Sequence, residues 1–487
     1  MNITDPIRRQ AAAAPRAAAI VRRGATVSYR QLDRLLDVLA RRALDVGLRA
    51  GDLVALAFPD IPGSGAEFRY FALSLALARA GIATKSADAS DDGIAACVAG
   101  MARNAVPAPR VVIADDAWFA IPADTLAVDP VPSHDDGAAI CRIITTSGTT
   151  GTSKRVAVSH ELMMRRLAGS AIGSPYPAKP VVVVHIGPWS NIGFRHMLRA
   201  LYAGGAIVLA RKPDEILRAI AQRGVNYVLL APAALATLVD TVPEGRGPLR
   251  GPEWLEVTGA YLPQALYERA RERLCPAIVT SYGSSEAGNT AWSLRSDLDG
   301  LPGAVGRLLP DVDVEAVDDD DRPLPPGEVG ILRVRGPGNV QSYWRDDDAT
   351  ARTFRGGWFY PGDLGSVSAD RMLTIAGRAQ EVVNVGGNKV HPRVVEEALR
   401  AVPGVADAAA FGVPNADGIP EIRAALVVRG ELARKPLEDT CRQLGYAAPK
   451  RFVRVAALPR NAAGKVLRGE LVALATRPLS QSRADDA

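Results

Sequence analysis

The chain has 487 residues, too many for one ordinary hydrophobic core, so a large layered body and at least one smaller domain are expected. Apolar residues at 48% and charged residues at 23% give the balance of a soluble globular protein and exclude a disordered or fibrous one. The net charge of +5 is spread along the whole length and only 5% of residues are aromatic, which argues against a nucleic-acid partner and suits anionic small substrates.

Residues 1–23 are Ala-rich but interrupted by Pro15 and several arginines, so they lack the continuous apolar stretch of a signal peptide, and no run reaches membrane-spanning length. A helix is predicted over 31–46, with Leu32, Leu35, Leu36, Leu39 and Ala40 on one face, closed by Gly47 and Gly51. Residues 53–58 then read as a buried strand and 67–80 as a second helix. Apolar runs at 180–186, 206–210, 227–230 and 277–281, each followed by turn residues and a helical stretch, predict strands of largely parallel, buried sheets. Between 312 and 334 short β segments surround the acidic turn 318–321 and the turn Pro325, Pro326, Gly327, which predicts a smaller β subdomain. After Gly377, a helix over 392–401, strands at 406–413 and 423–428 and a helix over 437–444 predict a compact α+β lid, and residues from 480 onward are expected to fray. Cys97, Cys141, Cys275 and Cys441 are too scattered for a zinc site or a disulfide scaffold and fit a reducing cytosol.

The sharpest chemical signal follows an apolar lead-in at Ile143 and Ile144. Thr145, Thr146, Ser147, Gly148, Thr149, Thr150, Gly151, Thr152 and Ser153 run into Lys154. Glycines let backbone N–H groups approach an anion closely, hydroxyls donate further hydrogen bonds and the lysine adds a compact positive charge, so the composition suits a phosphate cradle. A Walker loop is excluded, because Gly148 and Gly151 are too close and the lysine does not directly follow the second glycine. On composition alone a flexible Gly/Ser/Thr linker would read similarly.

Residues 146–154 resemble the T-S-G-T-T-G-x-P-K-G loop of the adenylate-forming superfamily, which holds acyl-CoA synthetases, peptide-synthetase adenylation domains and firefly-type luciferases; Ser153 and Arg155 depart from it. Further similarities follow in the family's order along nearly the whole chain. Residues 27–32 and 51–56 are similar to its opening helix and first strand. The stretch 257–263, with Gly259 and Ala260, resembles the loop bordering the purine, with Thr258 and Tyr261 off pattern. Tyr282, Gly283, Ser285 and Glu286 are similar to Y-G-x-T-E, which implies that Tyr282 packs on adenine and Glu286 holds Mg²⁺. Asp363, in a stretch like Y-x-T-G-D where Pro361 replaces the threonine, would accept from the ribose hydroxyls. Residues 377–390 resemble the segment joining the two domains, which makes Arg378 a ribose or phosphate ligand and Gln380 the pivot, where relatives carry Asp or Lys; Asn384 replaces a common lysine. Residues 458–468 resemble P-R-x-x-x-G-K-x-x-R, which makes Lys465 the catalytic lysine. Taken alone, Glu286 would be an ordinary helix-start residue, Asp363 a turn residue and Lys465 a solvated cation.

The resemblance implies an α/β fold: a large N-terminal domain of stacked mixed β-sheets with helices and a small β subdomain, over 1–377, a hinge at 378–384, and a small mobile α+β lid over 385–487. It implies ATP with Mg²⁺, attack of an acid carboxylate on the α-phosphorus, loss of pyrophosphate, and acyl transfer to coenzyme A. The alternative acceptor is a carrier-protein phosphopantetheine. Lys465 would bridge carboxylate and AMP; after rotation, Gly386 and Gly387 would leave room for the pantetheine arm. The acid pocket is expected at Trp189, Ser190 and Asn191, where the absence of an Asp disfavours an α-amino acid. A nucleotide sensor without catalysis is the competing class. A dehydrogenase is excluded, since no G-x-G-x-x-G opens a strand-to-helix turn in the N-terminal half.

Overall fold

The computed structural model describes residues 1–58, 65–87, 93–101, 104–120, 129–146, 154–243, 245, 247–301, 303–385, 388–415, 420–460 and 466–475. The first long helix spans Tyr29–Asp45 and starts two residues earlier than predicted. Ser28 caps it: the Ser28 hydroxyl accepts from Gln31 N at 3.3 Å and the Gln31 side chain accepts from Ser28 N at 2.8 Å. Such a reciprocal cap satisfies two backbone donors that the helix start would leave unpaired. Its predicted apolar face, Leu32, Leu35, Leu36, Leu39 and Ala40, is fully buried.

Two sheets form the body. In one, Val111–Ile113, Ala96–Ala99, Leu53–Ala57, Ala83–Ser86 and Ile140–Thr146 run parallel, and Lys154–Ser159 closes the edge antiparallel. In the other, Ala206–Val208, Val181–Val184, Tyr227–Leu230, Trp254–Thr258 and Ile278–Ser284 are parallel neighbours; all but Trp254–Thr258, which was not predicted, fall on the apolar runs. The main core joins both sheets, through residues such as Leu56 and Val184, around the helices Tyr29–Asp45, Ala66–Arg79 and Asn191–Tyr202. Burying each large aliphatic side chain there contributes roughly 1.5–3 kcal/mol.

From Ile278–Ser284 the second sheet turns antiparallel through Gly288–Leu294, Ala304–Leu308, Met372–Arg378, Asp363–Val367 and Gly330–Arg335. The predicted β subdomain therefore continues the hydrogen bonding of the large sheet. It keeps its own core, with Leu308, Val314, Leu332, Phe359 and Leu373.

After Arg378 a short 3-10 turn, Ala379–Glu381, leads to the hairpin of Val383–Val385 and Asn388–Val390, then to the helix Pro392–Arg400. Val405–Pro414 pairs antiparallel with Pro420–Val428, which pairs parallel with Arg451–Arg454, and the helices Arg434–Leu444 and Arg468–Ala475 complete the unit. The strand at 451–454 and the last helix were not predicted. The frayed tail expected from 480 onward lies outside the described residues. Among these residues, no helix is long and apolar enough to cross a membrane.

Candidate active site

The segment expected to hold phosphates begins at the end of the strand Ile140–Thr146, whose Cys141, Ile143 and Ile144 are buried. The chain returns as Lys154–Ser159, with Thr146 opposite Lys154 and Thr145 opposite Arg155. Thr146 Oγ1 donates to the Lys154 carbonyl at 3.3 Å. Ser147, Gly148, Thr149, Thr150 and Gly151 lie outside the described residues, but both ends of the segment are fixed side by side. Lys154 Nζ stands 4.8 Å from the centroid of the Tyr343 ring. Tyr343 in turn donates its hydroxyl to Glu286 Oε1 at 2.9 Å, and Trp344 N donates to the Arg155 carbonyl at 2.7 Å. The loop exit and the carboxylate expected at the metal are thus joined through one tyrosine. Burial and the neighbouring Glu286 push the Tyr343 hydroxyl far up, so it stays a donor.

Glu286 itself is 8% exposed. Arg166, in the helix His160–Gly173, holds its backbone: Nη2 donates to the carbonyls of Ser285 at 2.9 Å and Glu286 at 3.0 Å, and Nε to Gly338 at 2.8 Å. Ser285 is half-buried. Besides Tyr343, no donor among the described residues reaches the Glu286 carboxylate. That leaves one carboxylate oxygen available, which fits a hard cation shared with phosphates. No group of three or more His, Cys, Asp or Glu residues among the described ones could enclose a metal. A metal here would complete its shell with substrate and water oxygens.

The second corner is built by sheet register. Asp363, 4% exposed, lies opposite Arg378 on neighbouring antiparallel strands and pairs with its Nε at 2.8 Å. Tyr282 donates its hydroxyl to the other Asp363 oxygen, and Arg378 Nη1 donates to the Pro361 carbonyl at 2.7 Å. Burial and Asp363 raise the Tyr282 phenol well above its ordinary value. Thr258 sits opposite Ser281 in the parallel pair and donates to its carbonyl at 3.1 Å, which brings Gly259 and Ala260 to the level of Tyr282. Gly259 turns the chain there at φ +88°, a backbone region that favours glycine. Gly283 is required for a different reason: a Cβ there would lie 2.1 Å from the Gly288 carbonyl oxygen.

On the expected acid side, Trp189 is partly buried, edge-on to Tyr70 at 6.2 Å, with the Arg211 guanidinium 5.2 Å from its ring. Ser190 caps the helix Asn191–Tyr202, accepting from Gly193 N at 3.0 Å and donating to the Gly187 carbonyl at 2.8 Å. Asn191 is 8% exposed, and its Oδ1 has no hydrogen-bond partner among the described residues. Arg142, buried under this segment, donates to the carbonyls of Pro188 at 3.0 Å and Trp189 at 3.3 Å.

Gln380 is exposed on the 3-10 turn between the two parts of the chain. Next to it, Glu381 pairs with Arg468 at 2.9 Å. Arg393 donates to the Ile375 carbonyl at 2.7 Å and lies 4.3 Å from the Tyr261 ring, so the C-terminal unit touches the end of the Gly259 loop. Gly386, Gly387 and Lys465 fall outside the described residues; Arg460 and Val466, which bracket Lys465, face each other in an antiparallel bridge. The sequence reading missed Arg166 and Tyr343. Neither has a local signal, since Tyr343 meets a partner 57 positions away and Arg166 one 120 positions away.

A layered α/β body in which the exit of a hydroxyl-rich segment, Lys154, is joined through Tyr343 to a buried glutamate, with an Asp–Arg pair under a tyrosine, defines a nucleotide-dependent activating enzyme. Family models agree: residues 62–344 match the AMP-binding enzyme model and 394–465 the AMP-binding enzyme C-terminal domain. The chain belongs to the AMP-binding enzyme family, the adenylate-forming ligases. It is similar to a salicylyl-CoA synthase / salicylate adenylyltransferase of Streptomyces sp (30% identity, 92% of this chain, 89% of the relative). It is also similar to a feruloyl-CoA synthase of Amycolatopsis sp (28%, 96% and 97%). Among solved structures, the amide bond synthetase McbA from Marinactinospora thermotolerans superposes with a TM-score of 0.84 at 27% identity, over 97% of this chain and 100% of that one.

Proposed function

We propose that the enzyme activates a carboxylic acid with ATP, releasing pyrophosphate to form an acyl-AMP, and then transfers the acyl group to the thiol of coenzyme A, in the cytosol. The observation that carries this reading is the Lys154–Tyr343–Glu286 chain: a cation at the loop exit and a half-satisfied buried carboxylate meet at one tyrosine. The CoA synthases among the relatives support the thiol acceptor.

Both reactants of the first step are anions, so repulsion and charge build-up on the phosphates dominate the barrier. Thr145, Thr146, Lys154 and the residues 147–151 between them take the β- and γ-phosphates. Glu286, with Ser285 beside it, would hold Mg²⁺, and the ion would supply positive charge to neutralise what develops on the phosphate oxygens. Gly259, Ala260, Tyr282 and Gly283 border adenine, and Asp363 with Arg378 takes the ribose hydroxyls. The acid enters past Trp189 and Asn191. Lys465 bridges its carboxylate and the α-phosphate.

In the second step the thiol attacks the acyl carbonyl and AMP leaves. The core ends near residue 377; turning about 378–384, at Gln380, withdraws Lys465 and presents Gly386 and Gly387 to the pantetheine arm. The decisive experiment is acid-dependent pyrophosphate release across aliphatic, aromatic and amino acids, with and without CoA. Lys465→Ala is expected to lose adenylation by about 10²- to 10³-fold, as for removal of a preorganised donor, while thiol transfer from supplied acyl-AMP survives. Equal loss in both half-reactions overturns the assignment of Lys465.

A further inference from the structure

Behind the acid side, the helix Asn191–Tyr202 carries Arg195, His196 and Arg199, which are 3%, 2% and 7% exposed. Arg195 lies one turn beyond Asn191, hence on the same helix face. Its fork is fixed: Nη1 donates to Ser170 Oγ at 2.5 Å and Nη2 to Asn289 Oδ1 at 2.6 Å, leaving Nε buried without an acceptor. Arg166, 4% exposed, spends Nε and Nη2 on the backbone at Ser285, Glu286 and Gly338, leaving Nη1 likewise unpaired. Arg166, Ser170 and Asn289 line a cleft whose rim includes Arg165, Leu309 and Asp311.

Neither buried guanidinium is in ion-pair contact with a carboxylate of the described residues. The buried acids that attract them are each bonded elsewhere, Glu256 near Arg195 to the hydroxyls of Tyr227 and Ser281, and Glu286 near Arg166 to that of Tyr343. Burial, and then mutual repulsion with Arg195, lowers Arg166 to about 9; burial lowers Arg195 to about 10. Two neighbouring buried guanidiniums, each with a donor left without an acceptor, are best satisfied when an oxyanion joins them, because a buried unpaired donor keeps its desolvation penalty. Guanidinium is also the side chain best shaped to grip an oxyanion.

We infer that the acid this enzyme activates carries a second oxyanion, such as a second carboxylate, which Arg195 and Arg166 hold at the end of the pocket away from the reacting carboxylate. This rests on the proposed function. It places the specificity of the site in charge recognition at the distal end of the substrate. A site built to bond a charged group rejects analogues lacking it far more strongly than an apolar pocket rejects a missing methylene.

The test compares dicarboxylic acids of graded length with their monomethyl esters in the pyrophosphate assay, using the full chain and its Arg195→Met and Arg195→Lys variants. One diacid is expected to exceed its monoester by about 10²-fold or more in kcat/KM. Arg195→Met should abolish that preference through the diacid alone, and Arg195→Lys should restore part of it. The thermal midpoint of the unsubstituted protein should rise with the diacid and not with the monoester, a readout that stands even if a variant fails to fold. Turnover of neutral acids with no diacid advantage, or equal loss for both substrates in Arg195→Met, overturns the inference and leaves the proposed function standing. No pyrophosphate release with any acid defeats the proposed function and this inference with it.

Discussion

Glu256 and Glu286 are both nearly fully buried, and both accept a tyrosine hydroxyl, yet their surroundings differ in one respect. Glu256 has each oxygen taken, one by Tyr227 and one by Ser281 at 2.6 Å, and is 1% exposed. Burial alone would push its carboxyl up, but His196 at 3.8 Å, then the Ser281 and Tyr227 hydroxyls, with Arg199 nearby, hold it below the usual carboxylate range. Glu286 keeps only Tyr343 as a donor among the described residues, and the ring of that tyrosine also meets Lys154. A saturated buried carboxylate is a structural tie, whereas one with an open oxygen at a site wall is poised to take a ligand.

The contrast can be broken by exchanging effects between the two. Glu256→Ala should destabilise most, by about 3–5 kcal/mol, since it strands the groups that pair with a buried charge. Differential scanning calorimetry should show a fall in the thermal midpoint with the Mg²⁺ titration of the residual activity unmoved; a shifted titration would make Glu256 part of the site. Glu286→Gln should do the reverse, raising the Mg²⁺ needed for half-maximal pyrophosphate release by about tenfold, equivalent to about 1.4 kcal/mol, at nearly unchanged midpoint. An unaltered Mg²⁺ curve would remove Glu286 from the metal. Tyr343→Phe sharpens the comparison with the smallest effect. Loss of one hydrogen bond to a carboxylate, about 1.5–3 kcal/mol at most and offset by freeing that oxygen, should move the Mg²⁺ requirement less than Glu286→Gln does. A larger shift would give Tyr343 the main role.

What the amino-acid order revealed depended on whether neighbours in space were neighbours in the chain. Tyr282, Ser285 and Glu286 fall within a few positions, so their motif could be read directly. The Asp363–Arg378 pair was named one residue at a time, and only the antiparallel register made them partners. The helix Tyr29–Asp45 was legible from its apolar stripe, which is local, although its cap at Ser28 was not read and the start was placed two residues late. Arg195 and Arg199 illustrate the opposite case. Arginines four apart on a helix normally mark its wet face, but here the second sheet and the helix His160–Gly173 cover them. The β subdomain was recognised from its turns, while its hydrogen-bonded continuity with the large sheet came from strand pairings far apart in sequence.

Tyr343 also bears on recombination between relatives. The strand start at 154–155 and the stretch at 343–344 form one physical piece, stitched by the Lys154 cation against the Tyr343 ring and by the Arg155–Trp344 backbone bond of 2.7 Å. A chimera that imports a foreign 145–155 segment but keeps the native 343–344 stretch would mate parts from two lineages at the proposed phosphate site. Crossover points that carry both pieces together preserve the fit, and a library built on that rule should retain far more active members than one cut between them.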